Sequence, residues 1–189
     1  MTTTVLVPLA TGFEEIEAVT IIDVLRRAEV DVTSAARGGG VVLGSRGIRI
    51  EADADLAEID LDAFDAIVVP GGLGGTLELM READLLAALR RYADGGKWIA
   101  AICAGPMVLV EAGVTDGVPI TSHPGVRGRL AGSDLQDAPR VLRSGRILTS
   151  QGPGTAMEFA LALVGELVGE KASLDLAAAM VVAAPQGLA

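Results

Sequence analysis

The sequence predicts an α/β protein, a three-layer sandwich in which helices cover both faces of a mainly parallel sheet. The first observation is the order of its segments, because short apolar runs bounded by glycine or proline alternate with longer amphipathic stretches. The second is the composition: half of the residues are hydrophobic but only 3% are aromatic, so Val, Ile, Leu and Ala must fill the core. A chain of 189 residues without a Pro- or Ser-rich linker indicates a single domain over residues 1–189.

The first third of the chain has the pattern of a β-α-β unit followed by a hairpin. An apolar strand is predicted at residues 4–9 and a second at 30–36. The helix between them, residues 13–28, is acidic at its start and basic at its end, which matches the helix dipole. Residues 41–50 are typical of a hairpin with a four-residue turn. The acidic residues 53–62 are interpreted as a solvated connector.

The remaining chain continues the alternation and closes on a helix. Strands are predicted at residues 66–70, 98–102, 118–121, 141–144 and 146–149. Helices are predicted at residues 77–80, 83–92, 104–110 and 157–168. The glycine-rich residues 71–76 are expected to form a loop. Residues 174–182 form a final helix or strand, and the tail beyond about residue 185 is expected to fray.

Charge and hydropathy exclude several classes of protein. The formal net charge is −10 and no Lys/Arg tract stands out, so no nucleic-acid partner is expected. The apolar runs are too short and too interrupted to span a bilayer, and no signal peptide is indicated. One cysteine and one histidine allow neither an internal disulfide nor a His/Cys zinc site within one chain. We therefore expect a cytoplasmic protein without a metal.

Cys103, the only cysteine, follows an apolar strand at the point where the pattern changes to a helix. Ala101 and Gly105 are small enough for a sharp turn there. The spacing small-x-Cys-x-Gly is close to the G-x-S-x-G nucleophile elbow, with Ala101 in place of the first glycine. The positive end of the helix is expected to lower the pKa of the thiol, and the turn is expected to expose its sulfur. The alternative is a buried core cysteine.

Three sequence features that could form a site are expected at one edge of the sheet. Gly71-Gly72, Cys103 and His123 each follow a predicted strand, and ligands of such folds bind beyond the carboxyl ends of the strands. Glycines just past a strand let a ligand approach the backbone N–H groups. A thiolate at Cys103 that attacks a carbonyl needs two donors for the oxyanion. The N–H groups of Ala104 and Gly72 are the candidates.

The residue that carries the proton is left open between four candidates. They are His123 and the early carboxylates Glu14, Glu15 and Glu17. On a helical wheel both Glu14 and Glu17 align with apolar positions, where burial would raise the pKa of a carboxyl and suit it to acid/base work. Periodicity therefore does not separate these two. The alternative is that all three acids only provide favourable charge at a helix N-terminus, and that His123 only closes a loop.

Five short motifs occur in an order and at spacings that together identify a family. They are FEEIE at residues 13–17, VPGG at 69–72, AAICAGP at 100–106, TSHP at 121–124 and TSQGPGT at 149–155. With these motifs the chain resembles the ThiJ/PfpI superfamily over roughly residues 3 to 182. Within it, the chain is similar to the branch of the parkinsonism-associated protein deglycase and its bacterial relative YajL. Gln151 resembles the bacterial members of that branch.

The resemblance implies a flavodoxin-like fold and a homodimer, with Arg27 and Arg46 near the contact between the two copies. It also implies that Cys103 is reactive and that a protonated Glu17 is hydrogen-bonded to its sulfur. His123 is implied to lie nearby. The backbone donors named above are implied to line the same site.

Members of this family act on methylglyoxal and glyoxal and give lactate or glycolate, and deglycation of early adducts on Cys, Lys and Arg is also attributed to them. The resemblance therefore implies a cysteine-dependent glyoxalase III-type lyase or deglycase that uses no cofactor, with reactive dicarbonyls or glycated side chains as its partners. The alternative is a redox-responsive chaperone in oxidative stress, switched by oxidation of Cys103 to a sulfinic acid. A cysteine peptidase is less favoured, because Ala104 stands where the protease-like branch carries a histidine.

Overall fold

The computed structural model describes residues 2–130 and 132–182, and the predicted fraying tail beyond residue 185 lies outside this part of the chain. The strands are β1 (Thr4–Leu9), β2 (Asp31–Ala36), β3 (Gly40–Leu43), β4 (Arg49–Ala52), β5 (Ala54–Asp55), β6 (Ala66–Val69), β7 (Trp98–Ile102), β8 (Val141–Ser144) and β9 (Ile147–Ser150). The α-helices are α1 (Glu15–Arg27), α2 (Leu73–Leu79), α3 (Ala83–Gly95), α4 (Pro106–Ala112), α5 (Ala156–Leu167) and α6 (Glu170–Ala179).

The central sheet has the strand order β5-β2-β1-β6-β7-β9-β8. Every neighbouring pair is parallel except β8 and β9, which are antiparallel. The predicted α/β class with a mainly parallel sheet is therefore confirmed. The hairpin of β3 and β4 is a separate two-stranded sheet. Because parallel strands need crossover connections, helices cover both faces of the central sheet.

The core has two layers, one on each face of the sheet. Val5 and Val7 of β1 pack on one side with Ile21 of α1 and with residues of α5. Leu6, between them, packs on the other side with Leu89 of α3. Successive side chains of a strand point to opposite faces, so a strand that is covered on both sides is a continuous apolar run. This is why the strand could be predicted from the sequence.

The prediction of a glycine-rich loop at residues 71–76 is wrong beyond Gly72, because α2 already begins at Leu73. Gly75, inside this helix, packs against the turn that precedes α1. A Cβ at this position would be 2.9 Å from the carbonyl oxygen of Ala10. The glycine therefore permits close packing of a helix against backbone, which a local preference for turns does not indicate.

The acidic residues 53–62 are a solvated connector only in part, because most of their carboxylates are exposed but the segment also contains a strand and part of the core. They contain β5, which pairs in parallel with the end of β2. Leu56 and Leu61 are buried in the same core layer as α3. The charge has a local role, because the carboxylate of Asp60 accepts a hydrogen bond from the N–H of Asp62 and begins a short 3-10 turn.

One further prediction is wrong, and one that was left open between two alternatives is decided. Residues 118–121 form no strand of the sheet; in the described part of the chain, Ile120 makes one isolated bridge to Leu135. The segment expected to be a final helix or strand is the helix α6. Among residues 2–130 and 132–182, no helix has the length and apolar character needed to cross a membrane.

One edge of the sheet brings together chain segments that are far apart in the sequence. The strands β1, β6, β7 and β9 are neighbours and run in the same direction, so their carboxyl ends lie side by side. The segments beyond them begin at Ala10, Pro70, Cys103 and Gln151. This is the edge at which ligands of parallel α/β sheets usually bind.

Candidate active site

Cys103 directly follows β7, and its backbone has a φ of +64°, in the left-handed region. A non-glycine residue there costs about 1–3 kcal/mol and persists only where its surroundings hold it. The N–H of Cys103 donates to the carbonyl oxygen of Ser150 at 2.9 Å, and its own carbonyl oxygen accepts from the N–H of His123 at 2.9 Å. The sharp turn predicted from the sequence is therefore present, and the side chain is half-buried.

Glu17 lies in the first turn of α1 and is completely buried. Its Oε2 accepts a hydrogen bond from the N–H of Gly71 at 2.7 Å. A Cβ at Gly71 would be 2.6 Å from the Cβ of Cys103 and 2.6 Å from Oε2 of Glu17. The carboxyl and the thiol therefore meet over Gly71. Of the acids at the start of α1, Glu17 is the one beside Cys103.

Burial raises the pKa of Glu17 to about 7, although its interactions with the Cys103 thiol and the N–H of Gly71 act in the opposite direction. The second carboxyl oxygen, Oε1, is buried and has no hydrogen-bond partner among the described residues. A carboxylate would leave Oε1 buried without a hydrogen-bond donor, whereas a protonated Oε1 carries a hydrogen that can be directed at the sulfur. Glu17 therefore holds a proton up to about neutral pH.

The thiol does not have the lowered pKa that the sequence suggested. Burial and the neighbouring Glu17 raise the pKa of Cys103 to about 12, against the N–H groups of Gly72 and Ala104, which lower it. The helix α4 begins only at Pro106, so its terminus does not outweigh these effects. Because two buried negative charges repel each other, the pair loses its two protons in separate steps, that of Glu17 first, and between these steps the one remaining proton is shared by the two groups. Sulfur is a thiolate whenever that proton is on Glu17.

The backbone donors expected at the site divide into two groups. The N–H of Gly71 is bonded to Glu17, so it orients the acid and is not free for a substrate. The N–H groups of Gly72 and Ala104 act on the sulfur, which places them where an oxyanion on an added carbonyl would form. Gly72 has a φ of +91°, and a Cβ there would be 2.3 Å from the carbonyl oxygen of Gly12. A side chain at this position would be excluded.

Gly71→Ala is expected to separate the thiol from the acid, because the new methyl group would fill the space in which they meet. We expect the free energy of unfolding to fall by about 1–3 kcal/mol and the pH profile of Cys103 alkylation to change. Denaturant unfolding and iodoacetamide labelling measure the two effects. The control is Gly95→Ala, because a Cβ at Gly95 would have no atom within 4 Å. An unchanged alkylation profile in Gly71→Ala would contradict the arrangement.

His123 lies at the rim of the site, not between the thiol and the acid. Its side chain is exposed, and Nδ1 accepts a hydrogen bond from the N–H of Gly125 at 3.0 Å. Within the described residues the ring makes no hydrogen bond to Cys103 or Glu17. Its ring edge packs near Gly152, where a Cβ would be 3.1 Å from Cδ2. The closest link of His123 to the pair is its backbone bond to Cys103.

The other two acids at the start of α1 contact the hairpin. Glu14 keeps an extended backbone, so α1 begins at Glu15 and not at residue 13 as predicted. Ser45, in the hairpin turn, donates its hydroxyl to Glu14 at 3.1 Å and to Glu15 at 3.0 Å. The sequence did not indicate these contacts, nor the carbonyl of Ser150 that holds Cys103, because no local pattern links residues so far apart in the chain.

The two arginines assigned by resemblance to a dimer contact are both exposed. Arg27 pairs with Asp23 of the same helix at 2.7 Å, and Arg46 lies in the hairpin turn. The first half of α1 and the hairpin also carry apolar side chains that are each at least 41% exposed, and we call these side chains the apolar face. Its members are Ile16, Val19, Val41, Leu43 and Ile48.

Comparison with known proteins agrees with this architecture. The model of the DJ-1/PfpI family matches residues 3–166. The protein dj-1beta of Drosophila melanogaster is 43% identical over 186 residues, which cover 97% of this chain and 99% of that protein. The glutathione-independent glyoxalase DJR-1.2 of Caenorhabditis elegans is 35% identical over 165 residues, 86% of this chain and 87% of its own. The crystal structure of Drosophila DJ-1beta, 41% identical, superposes with a TM-score of 0.93 and covers 97% of this chain and 100% of that one. The predicted flavodoxin-like sandwich is confirmed.

Proposed function

The chain belongs to the DJ-1/PfpI family, and from this premise we propose that it converts methylglyoxal and glyoxal into lactate and glycolate through Cys103, without glutathione. The observation that carries the proposal is the buried pair of Cys103 and Glu17, whose shared proton places a nucleophile beside an acid. A relative that is named a glutathione-independent glyoxalase supports the reaction class. The closer similarity to bacterial YajL and the cytoplasmic location stay predictions.

In the first step the thiolate of Cys103 adds to the aldehyde carbon of the substrate. A C–S bond forms, and the π electrons of the carbonyl move to its oxygen. The N–H groups of Gly72 and Ala104 stabilise that oxyanion, and Glu17 donates the shared proton to it. The product is a hemithioacetal, and Glu17 is left as a carboxylate.

In the second step the carboxylate of Glu17 takes the proton from the carbon bonded to sulfur. The electrons of that C–H bond form a C=C bond, the electrons of the neighbouring C=O bond move to its oxygen, and Glu17 returns the proton to this oxygen, which gives an enediol. Glu17 then moves the proton of the hydroxyl on the sulfur-bearing carbon to the neighbouring carbon, so that the first carbon becomes the carbonyl of a thioester and the second carries the hydroxyl of a 2-hydroxy acid. One carbon is oxidised and its neighbour is reduced, so the step needs no external oxidant or reductant. Water hydrolyses the thioester and restores the thiol. His123, at the rim, has a supporting role in proton exchange with solvent.

The same addition applies to early glyoxal adducts on protein side chains. Cys103 is only half-buried, which supports access of a substrate attached to a larger molecule. The product would again be a 2-hydroxy acid, with the amine or thiol of the protein released. Deglycation is therefore the same proposal extended to larger substrates.

The test is the formation of D- and L-lactate from methylglyoxal by freshly reduced protein, with no glutathione added. We expect lactate to form, and to stop forming after iodoacetamide treatment, because Cys103 is the only thiol in the chain. A sample incubated with methylglyoxal before the iodoacetamide is the control, since a sulfur occupied by substrate is protected. Absence of lactate from the reduced protein would contradict the proposed reaction.

The donors around the sulfur favour a second candidate function, a redox-responsive chaperone. Oxidation by two molecules of hydrogen peroxide would convert the Cys103 thiol first to a sulfenic and then to a sulfinic acid, with one water released at each step. The N–H groups of Gly72 and Ala104 and the protonated Glu17 would then have sulfinate oxygens to bind. Suppression of client aggregation that appears only after peroxide treatment supports this candidate. The same suppression by a Cys103→Ser protein would contradict it.

We propose that the apolar face binds a second copy of the chain and forms the homodimer that the sequence motifs imply. The face lies on the first half of α1 and on the hairpin, which the hydrogen bonds of Glu15 join, and the exposed Arg46 stands two residues before its member Ile48. A charge placed in it, in Ile48→Asp, is expected to give a monomer in analytical ultracentrifugation. Val168→Asp, which adds the same charge at an exposed apolar residue outside the face, is the control. A dimeric Ile48→Asp protein would contradict this interface.

A further inference from the structure

Glu15 joins the hairpin turn to the first turn of α1. Its side chain is buried, and Oε1 accepts hydrogen bonds from the N–H of Arg46 at 2.6 Å and of Ile48 at 3.3 Å. Oε2 accepts from the hydroxyl of Ser45 at 3.0 Å. Burial alone would raise the pKa of Glu15, but these donors hold it below its ordinary value. Glu15 is therefore an ionised group that binds the turn between β3 and β4.

The backbone next to Glu15 is held from both sides. The N–H of Ser45 donates to the carbonyl oxygen of Phe13 at 2.8 Å, which fixes the segment to the hairpin. The N–H of Glu14 donates to the carbonyl oxygen of Gly71 at 2.9 Å, which fixes the same segment to the active site. The hairpin turn, the start of α1 and Gly71 therefore form one connected structure.

We propose that Glu15 is a positioning residue for the pair of Cys103 and Glu17. Glu17 follows Glu15 within one helical turn, so a shift of the backbone at Glu15 moves the carboxyl of Glu17 over Gly71. The fit there is tight, and a displacement of about 1 Å is enough to disturb a catalytic geometry. The inference rests on the proposed role of the pair and adds the hairpin as its support.

The charges around Glu17 define what a change at Glu15 would do. The titratable groups that act on Glu17 are Cys103, beyond β7, and Glu14, on the same segment as Glu15. Neither is altered in the variants below. Once Glu17 is released from its fixed position, water reaches its carboxyl, and the pKa falls toward the ordinary 4.5. A carboxyl that has already lost its proton well below pH 7 no longer shares one with the sulfur.

The experiment measures the rate of Cys103 alkylation by iodoacetamide as a function of pH. In the wild type the rate is expected to rise first near pH 7, where the pair loses its first proton. In Glu15→Ala this rise is expected to move toward pH 9, the ordinary pKa of a thiol. At pH 7 the alkylation rate should therefore fall about tenfold.

Two further variants separate positioning from stability. In Glu15→Gln the amide oxygen can still accept both backbone N–H groups, so the first rise is expected to return to near pH 7. Asp53 is the matched control, because its carboxylate binds the N–H and hydroxyl of Ser34 and the guanidinium of Arg26, away from the site. Asp53→Ala should lower the thermal stability and leave the first rise in place.

The proposal would be overturned if the alkylation rate of Glu15→Ala still first rose near pH 7. It would also be overturned if the pH of this rise shifted equally in Asp53→Ala. If Glu15→Ala does not fold, Gly44→Ala takes its place. A Cβ at Gly44 would be 2.4 Å from Cδ of Glu15 and would push the carboxyl out of the turn, with the same shift expected. Alkylation of Cys103 needs no turnover of a dicarbonyl. A protein that makes no lactate would therefore contradict the proposed function, whereas the role of Glu15 would still be decided by the alkylation rates.

Discussion

Cys103→Ser is expected to lower kcat/KM for methylglyoxal by at least about 10³-fold. A hydroxyl ionises far less readily than a thiol, so sharing a proton with Glu17 would not yield an alkoxide near neutral pH. The backbone at residue 103 should keep its place, because its hydrogen bonds to Ser150 and His123 are made by main-chain atoms. Enantiomer-specific measurement of lactate formed by the purified variant checks this expectation.

Cys103→Ala is the companion variant, because it removes the nucleophile without adding a hydroxyl. Both variants should unfold at similar temperatures and be equally inactive, which would show that chemistry and not folding is lost. A serine variant with a rate close to that of the wild type would mean that the sulfur does not attack the substrate. The covalent mechanism would then be abandoned.

Glu17→Gln is expected to lower kcat by about 10²- to 10⁴-fold, the usual contribution of a positioned acid/base. Glutamine has the same size and can still accept the N–H of Gly71, but it has no proton to share. The pH profile gives a second signature. The wild-type alkylation rate should rise near pH 7, whereas the variant should lose this step, because only the buried thiol of Cys103 then titrates, at higher pH.

Glu14→Gln is the matched control for this prediction. Glu14 stands just before the same helix, but it contacts the hydroxyl of Ser45 and not the thiol. Its charge contributes to the raised pKa of Glu17, so removing it should move the first rise slightly to lower pH. Activity should change by less than about threefold. If Glu14→Gln were as inactive as Glu17→Gln, the assignment of the acid would be wrong.

The features that could be predicted from the sequence are those that depend on local patterns. A strand buried on both faces is a continuous apolar run, as in Trp98–Ile102, and a small-residue turn after it marks Cys103. Parallel strands share a direction, so their ends had to meet at one edge. The class of fold and the position of Cys103 at that edge followed from these two facts.

The features that could not be predicted depend on packing between distant segments. Helical periodicity placed Glu14 and Glu17 on equally apolar positions, and only contact with Gly71 distinguishes them. The pKa of Cys103 was expected to fall because of a helix terminus, but burial beside a carboxyl raises it. Neither the depth of a side chain nor the identity of its distant neighbour is contained in the spacing of residues along one segment.

The neighbouring positions of β1, β6, β7 and β9 have a consequence for how the protein gains its activity. The groups of the site follow different strands, and the bonds between them close long loops of chain. Such contacts form late, after helices and other local structure. During refolding, lactate formation is therefore expected to return after the helical circular dichroism signal. The return of lactate formation would then measure when the strands that carry the site have joined the sheet.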